Sequence, residues 1–161
     1  MKKKQSDGPS SIRKIVIALD FSPVSIRAFE YTVNLAEQMS AEVIAMFVKD
    51  ADDLAIAIRQ NLPIRKNEVG KLKKKVEDVL RAKYQSLLQD MKTGSNIRFI
   101  ISQGHPAQEI LKIAAKEKAD LIVSGTRGHS LASSLLLGST ARELIVQSSC
   151  PVLTFNNRAR R

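Results

Sequence analysis

Five short apolar runs, each separated from the next by a stretch with helical spacing, constrain the fold of this chain more than any other feature. They are Lys14–Asp20 (KIVIALD), Glu42–Val48 (EVIAMFV), Ile97–Ile101 (IRFII), Ala119–Val123 (ADLIV) and Pro151–Phe155 (PVLTF). Runs of this length, rich in β-branched residues and hardly interrupted by polar ones, fit strands covered on both faces. Pro151 stands at the first position of the fifth run, where a strand tolerates proline.

Helical patterns fill the intervals. Ser22 supplies an N-cap and Pro23 the first helical position of a helix reaching about Met39, with Ala28, Tyr31, Leu35 and Ala36 on one face. From Val69, the residues Leu72, Val76, Val79, Leu80, Leu87, Leu88 and Met91 recur at helical spacing with lysines between them, and Gly94-Ser95 ends that pattern. Gly104-His105-Pro106 introduces a third helix carrying Ile110, Leu111 and Ala114, and the last pattern runs from Ala141 to Val146. Strand–helix alternation of this kind predicts a single α/β domain on a five-stranded parallel sheet, helices on both faces, in the doubly wound order 3-2-1-4-5. The domain is expected over residues 13–156, after a disordered basic leader (1–12) and before a basic tail (157–161).

In that order the switch point falls between the first and fourth strands, so the loops after Asp20 and Val123 share one crevice, the place where open α/β sheets bind ligands. The second of these loops is SGTRGHSLASSLLLGST, residues 124–140. A plain turn needs one glycine or two, yet here Gly125, Gly128 and Gly138 bracket a run of small hydroxyl residues. Gly125 permits close approach of a ligand to the backbone, and Gly128 can take a positive φ. Gly138-Ser139-Thr140 opens the final helix, where free amides and the helix dipole favour an anion, most naturally phosphate. The simpler reading is a helix cap, since Thr140 with Glu143 matches a capping box. Capping leaves Gly125 and Gly128 unexplained.

The loop fits the signature G-x2-G-x9-G-[ST] through Gly125, Gly128, Gly138 and Ser139. With Asp20-Phe21-Ser22 after the first strand, the Gly104-His105-Pro106-Ala107 turn, Ala119–Val123 and Cys150-Pro151-Val152, the chain from Lys14 to Phe155 resembles the universal stress protein family. The resemblance implies an adenine nucleotide alpha hydrolase-like sheet with ATP, or ADP or AMP, across its switch point, with Mg2+ accompanying the phosphates. It places Asp20 near adenine and ribose, the backbone of Val48 against the adenine edge, and Gly125, Gly128, Gly138, Ser139 and Thr140 around ribose and phosphates. Arg127 adds charge near the phosphates, and Ala18 completes the set. The resemblance also implies a homodimer through the edge strand Pro151–Phe155. Thr140 departs from the family, which often has an apolar residue there, and the charged segment between the second and third strands is this chain's own.

A net charge of +10 raises the question of nucleic acid, and its distribution argues against it. The termini hold six basic side chains against one acidic, and residues 59–83 hold nine against three, so the remainder is near neutral. Aromatic content is 4%, with no nucleic-acid recognition motif, so the basic segment reads as a solvated helix face. No apolar run is long enough to span a bilayer, and the run after the basic start stops at Asp20, unlike a signal peptide. One cysteine, Cys150, excludes an internal disulfide and suits a reducing cytoplasm. It reads as a small buried hydrophobe beside Pro151. His105 and His129 read as ordinary loop residues with no visible carboxylate partner, and with Cys150 they are too few for zinc. An ATPase or kinase would need parts that do not show: there is no G-x4-G-K-[ST] loop and no second acid placed beside Asp20. No catalytic residue is assigned. The expected role is a nucleotide-binding sensor or switch acting through partners, with a slow ATPase, a phosphotransfer protein and a non-catalytic adaptor as alternatives.

Overall fold

The structure, a computed structural model, describes residues 11–49, 66–91, 93–126 and 137–156. The elements in chain order are β1 (Lys14–Ala18), α1 (Pro23–Met39), β2 (Glu42–Lys49), α2 (Lys66–Met91), β3 (Ile97–Gln103), α3 (Pro106–Glu117), β4 (Leu121–Gly125), α4 (Ser139–Gln147) and β5 (Val152–Phe155). Among the described residues the strands form one parallel sheet in the order β3-β2-β1-β4-β5, as the alternation of elements predicts. The disordered leader falls almost wholly outside the described residues, and the tail wholly so.

The two-residue period of the strands divides the core in two. Ile15, Ile17, Val43, Ala45, Leu121 and Val123 face α1 and α2, packing on Ala28, Phe29, Val33, Ala36 and Tyr84. Val16, Ile44, Met46 and Ile122 face the other way, onto Ala107, Ile110 and Ala114 of α3 and Leu144 of α4. Each aliphatic side chain buried this fully contributes about 1.5–3 kcal/mol. The inner strands can therefore be apolar at every position, which is why they read as continuous runs.

Helix ends follow local chemistry, with three departures from the expected pattern. Ser22 caps α1, accepting the Ser25 N–H at 3.3 Å, with Pro23 in the first turn. The buried face of α1 is Val24, Ala28, Phe29, Thr32, Val33 and Ala36, whereas Tyr31 points outward and meets Phe155 with ring centroids 5.1 Å apart. β4 starts at Leu121 rather than Ala119, because the Ala119 N–H closes α3 on the Ala114 carbonyl at 2.9 Å. The capping box at Thr140 is absent. Gly138 is the N-cap of α4, no side chain caps that end, and Thr140 already lies inside the helix. Between β3 and α3 the chain turns at Gly104, whose φ of 147° no other residue adopts without strain.

The amino ends of the strands are tied by charge. Lys14 contacts Glu117 at 3.1 Å and Glu42 at 3.4 Å, and Arg98 contacts Glu117 at 2.8 Å and Glu42 at 2.5 Å. Asp120 accepts the backbone N–H groups of Arg13 and Lys14 at 2.9 and 3.0 Å.

Candidate nucleotide cleft

A cleft of about 140 Å3 opens between the carboxyl ends of β1 and β4. Ala18, Asp20, Val48, Gly125 and Thr140, from four elements and one turn, all line it. Gly138 and Ser139 stand at the start of α4, next in the chain to Thr140, and do not themselves line the cleft. Arg127 and Gly128 lie outside the described residues, as does His129.

The Asp20 wall is set by an unusual turn. The Asp20 Oδ1 accepts the Ser22 N–H at 2.9 Å, and Phe21 between them has φ 60°. A bulky residue in the left-handed region carries about 1–3 kcal/mol of strain and persists only where its surroundings hold it. Here the Phe21 ring is held 5.7 Å from Phe47 and 6.2 Å from Phe99. The strain sits beside a carboxylate that faces the cleft.

Val48 presents its backbone. Along β2 the odd residues bond toward β3, as the Gly104 N–H donating to the Lys49 carbonyl shows, and the even residues bond toward β1, as Leu19 N–H to Met46 carbonyl shows. The amide groups of Val48 therefore point to the β1 side at a level where β1 has already ended at Ala18.

The loop after β4 leaves and returns at one point. The Thr126 N–H bonds to the Phe155 carbonyl at 2.6 Å, and the Thr126 carbonyl accepts the Gly138 N–H at 2.8 Å. This pinch brings Gly125 and Gly138, thirteen residues apart in sequence, to the same edge of the cleft. The first turn of α4, which receives no side-chain cap, follows directly and brings Thr140 to the cleft. Gly138 itself has φ −61°, so backbone freedom is not what selects glycine at this position.

Met46, Ile110, Pro106, Leu19, Ser25 and Ser124 also line the cleft, and the sequence reading did not single them out for it. Two had a legible signal: Met46 lies two residues before Val48 on the same strand face, and Ile110 one helical turn after Pro106. The cleft is thus an apolar slot with a carboxylate at one side and uncapped helix amides at another. Sites that enclose a whole ligand run to roughly 300–1,000 Å3. At about 140 Å3 this slot is smaller than such sites.

His105 and Cys150 differ from expectation. His105, the N-cap of α3, places Nε2 3.6 Å from the Glu143 carboxylate, so it does have a carboxylate neighbour, reached across the α3–α4 contact. Cys150 is half-buried rather than enclosed, with Sγ 3.5 Å from the Ser148 hydroxyl. Among the described residues no cluster of three or more His, Cys, Asp or Glu could hold a metal by itself, and no helix is long and apolar enough to cross a membrane.

Comparison with known proteins agrees with this architecture. Residues 11–156 match the model of the universal stress protein family. The universal stress protein MJ0531 of Methanocaldococcus jannaschii is 34% identical over 152 residues, covering 91% of this chain and 84% of that one. The solved structure of MJ0577 from the same organism superposes with a TM-score of 0.76 at 26% identity, over 93% of this chain and 99% of that one. A universal stress protein of Archaeoglobus fulgidus, solved in complex with dAMP, shares the fold at 18% identity and a TM-score of 0.57, over 90% of this chain and 98% of its own. The chain belongs to the universal stress protein family.

Proposed function

We propose that this protein binds an adenine nucleotide in the cleft between β1 and β4 and works as a sensor or switch, without efficient phosphoryl transfer. The observation that carries the reading is the cleft itself: an apolar slot whose edge is the unpaired Val48 side of β2 and whose rim is the uncapped start of α4. In this reading the base enters between Ala18, Met46 and Ile110, and Val48 meets its edge. Asp20 takes the ribose side, and Gly125, Gly138, Ser139 and Thr140 surround the ribose and phosphates, with Gly128 and Arg127 assigned to the same end from sequence. A helix N-terminus favours negative charge by about 0.3–1 kcal/mol, and its free amides add direct hydrogen bonds. Magnesium would ride with the phosphates, keeping most of its waters, with Asp20 as the one acidic residue lining the cleft among the described residues. The dAMP bound by the Archaeoglobus relative belongs to that protein, and an adenine nucleotide is the ligand class the slot and rim suit here.

Binding without turnover follows from what the residues supply. The sequence has no lysine of the P-loop type, among the described residues no second acid lines the cleft beside Asp20, and binding alone gives affinity rather than rate. Calorimetry with magnesium-ATP tests the site: Gly138→Val fills the phosphate space and should abolish binding. A folded Gly138→Val protein with unchanged affinity would refute the assignment, and turnover of about 1 per second or faster, removed by Asp20→Ala, would refute the non-enzymatic reading.

The assembly expected with this role is a homodimer through β5, which lies at the sheet edge. Its odd residues bond inward to β4, as Ile122 N–H to Pro151 carbonyl and Thr126 N–H to Phe155 carbonyl show, leaving the amides of Val152 and Thr154 on the open edge. Two copies pairing these edges would close as a dimer. Leu153 and Phe155 pack against the α1 side of the core, so a charge there would disturb the fold as well as the edge. Thr154→Pro instead removes an outward N–H and spares the ladder with β4. Light scattering at tens of micromolar should then show monomer, and a dimer untouched by Thr154→Pro would exclude this interface.

A further inference from the structure

Asp20 and Val48 line the cleft from the turn after β1 and from β2, and each is followed in the chain by a residue that α2 holds. After Asp20 comes Phe21, with the Lys83 ammonium 5.8 Å from its ring centroid. After Val48 comes Lys49, whose Nζ donates to the Glu77 carboxylate at 2.6 Å. Lys83 and Glu77 flank Leu80, which with Tyr84 is the buried anchor of α2. Tyr84 stacks on Phe99 at 4.3 Å, and Phe99 meets Phe21 edge-on, so a continuous aromatic path joins the helix to the strained turn. In the middle of α2, Val76 and Val79 are 40% and 51% exposed. The Lys49–Glu77 pair is therefore a tie between this part of the helix and the sheet.

We propose that α2 positions the base end of the cleft, with Glu77 and Lys83 as positioning residues that act through Lys49 and Phe21; this rests on the reading of the cleft as an adenine-nucleotide site. The mechanism is geometric. Phe21 keeps its left-handed backbone only while its ring is clamped, and that backbone aims Asp20. Lys49 fixes the last residue of β2, and with it the direction of the Val48 amides. Neither Glu77 nor Lys83 lines the cleft. A ligand that needs both walls in place binds best when α2 is docked, and by reciprocity its binding must favour docking.

The test is a charge swap read by nucleotide affinity. Magnesium-ATP and AMP are titrated by calorimetry into the wild-type protein, Glu77→Lys, the swap Lys49→Glu/Glu77→Lys, and Lys83→Met, which keeps the aliphatic stem without the cation. The Glu77 side chain is 42% exposed, so its replacement leaves the core intact. Glu77→Lys should weaken ATP and AMP by the same factor, about fivefold, as the loss of one partly exposed ion pair allows. The swap should restore both affinities, and Lys83→Met should weaken both by about twofold to fivefold. Unchanged affinity in Glu77→Lys, a loss that grows with the number of phosphates, or a swap that restores nothing would overturn the proposal while leaving the nucleotide site standing. A wild-type protein that binds neither nucleotide would overturn the site, and this inference with it.

Discussion

The two ends of the sheet are built on opposite terms. At the amino ends of the strands, charges are closed among themselves: Lys14 and Arg98 share Glu42 and Glu117, and Asp120 takes two backbone N–H groups. At the carboxyl ends the chain keeps a strained Phe21 and helix starts at His105 and Gly138 that no side chain caps. Both ends belong to the same domain and share the same strands. A set of groups that satisfy one another leaves nothing for a ligand to do, whereas uncapped amides beside an apolar slot leave binding capacity in place. The difference separates an end whose groups satisfy one another from the end where the proposed site lies.

The largest test of that separation is Gly138→Val. It should reduce nucleotide affinity by about 100-fold or more, which is about 2.7 kcal/mol, while stability falls by only about 1 kcal/mol, since φ −61° suits any residue but valine is a poorer N-cap than glycine. A protein that lost stability and kept affinity would reverse the assignment of the two ends. At the amino end, Asp120→Ala strips the acceptor from the Arg13 and Lys14 amides and should destabilise by about 1–3 kcal/mol with nucleotide affinity unchanged. Denaturant unfolding and calorimetry on the same preparation check both halves.

A smaller effect concerns pH. The Glu117 carboxyl lies below its ordinary range because Arg98 first, and Lys14 second, hydrogen-bond to its charged form. Its folded pKa is thus lower than its unfolded one, so its contribution is present above the unfolded value and is lost as pH falls through the folded value. Stability measured from neutral to acid pH should fall below the ordinary carboxylate range, and Glu117→Gln should flatten part of that fall. An identical acid profile in the variant would place the dependence elsewhere.

The smallest effect is expected at Tyr84, whose hydroxyl is buried with no hydrogen-bond partner and whose pKa burial raises to about 12. Tyr84→Phe should leave stability unchanged or raise it by up to about 1 kcal/mol, because an unpaired buried hydroxyl gains nothing from folding. Because the folded pKa is the higher one, the wild-type protein should also lose stability as pH rises from about 10 toward 12. The phenylalanine variant should lose less over that window.

Much of this architecture was legible in the amino-acid sequence by itself. Strand and helix identity and the N-cap at Ser22 follow from periodicity and turn chemistry, which act over a few residues and are written directly in the chain, and the order of the sheet follows from the strand–helix alternation and the rules for right-handed crossovers. The glycine spacing pointed to the edge of the cleft, where Ala18, Asp20, Val48, Gly125 and Thr140 come together while Gly138 and Ser139 do not line it. Tertiary structure alone decided the rest. The left-handed φ of Phe21 depends on rings at positions 47 and 99, Glu143 finds His105 rather than capping Thr140, and Tyr31 leaves the core for Phe155. Lys14 finds Glu117 103 residues away because the end of α3 packs beside the start of β1, while parallel register sets Lys14 beside Glu42. Such contacts depend on where separate elements come to rest, and that is fixed by packing the whole core, which no local pattern encodes.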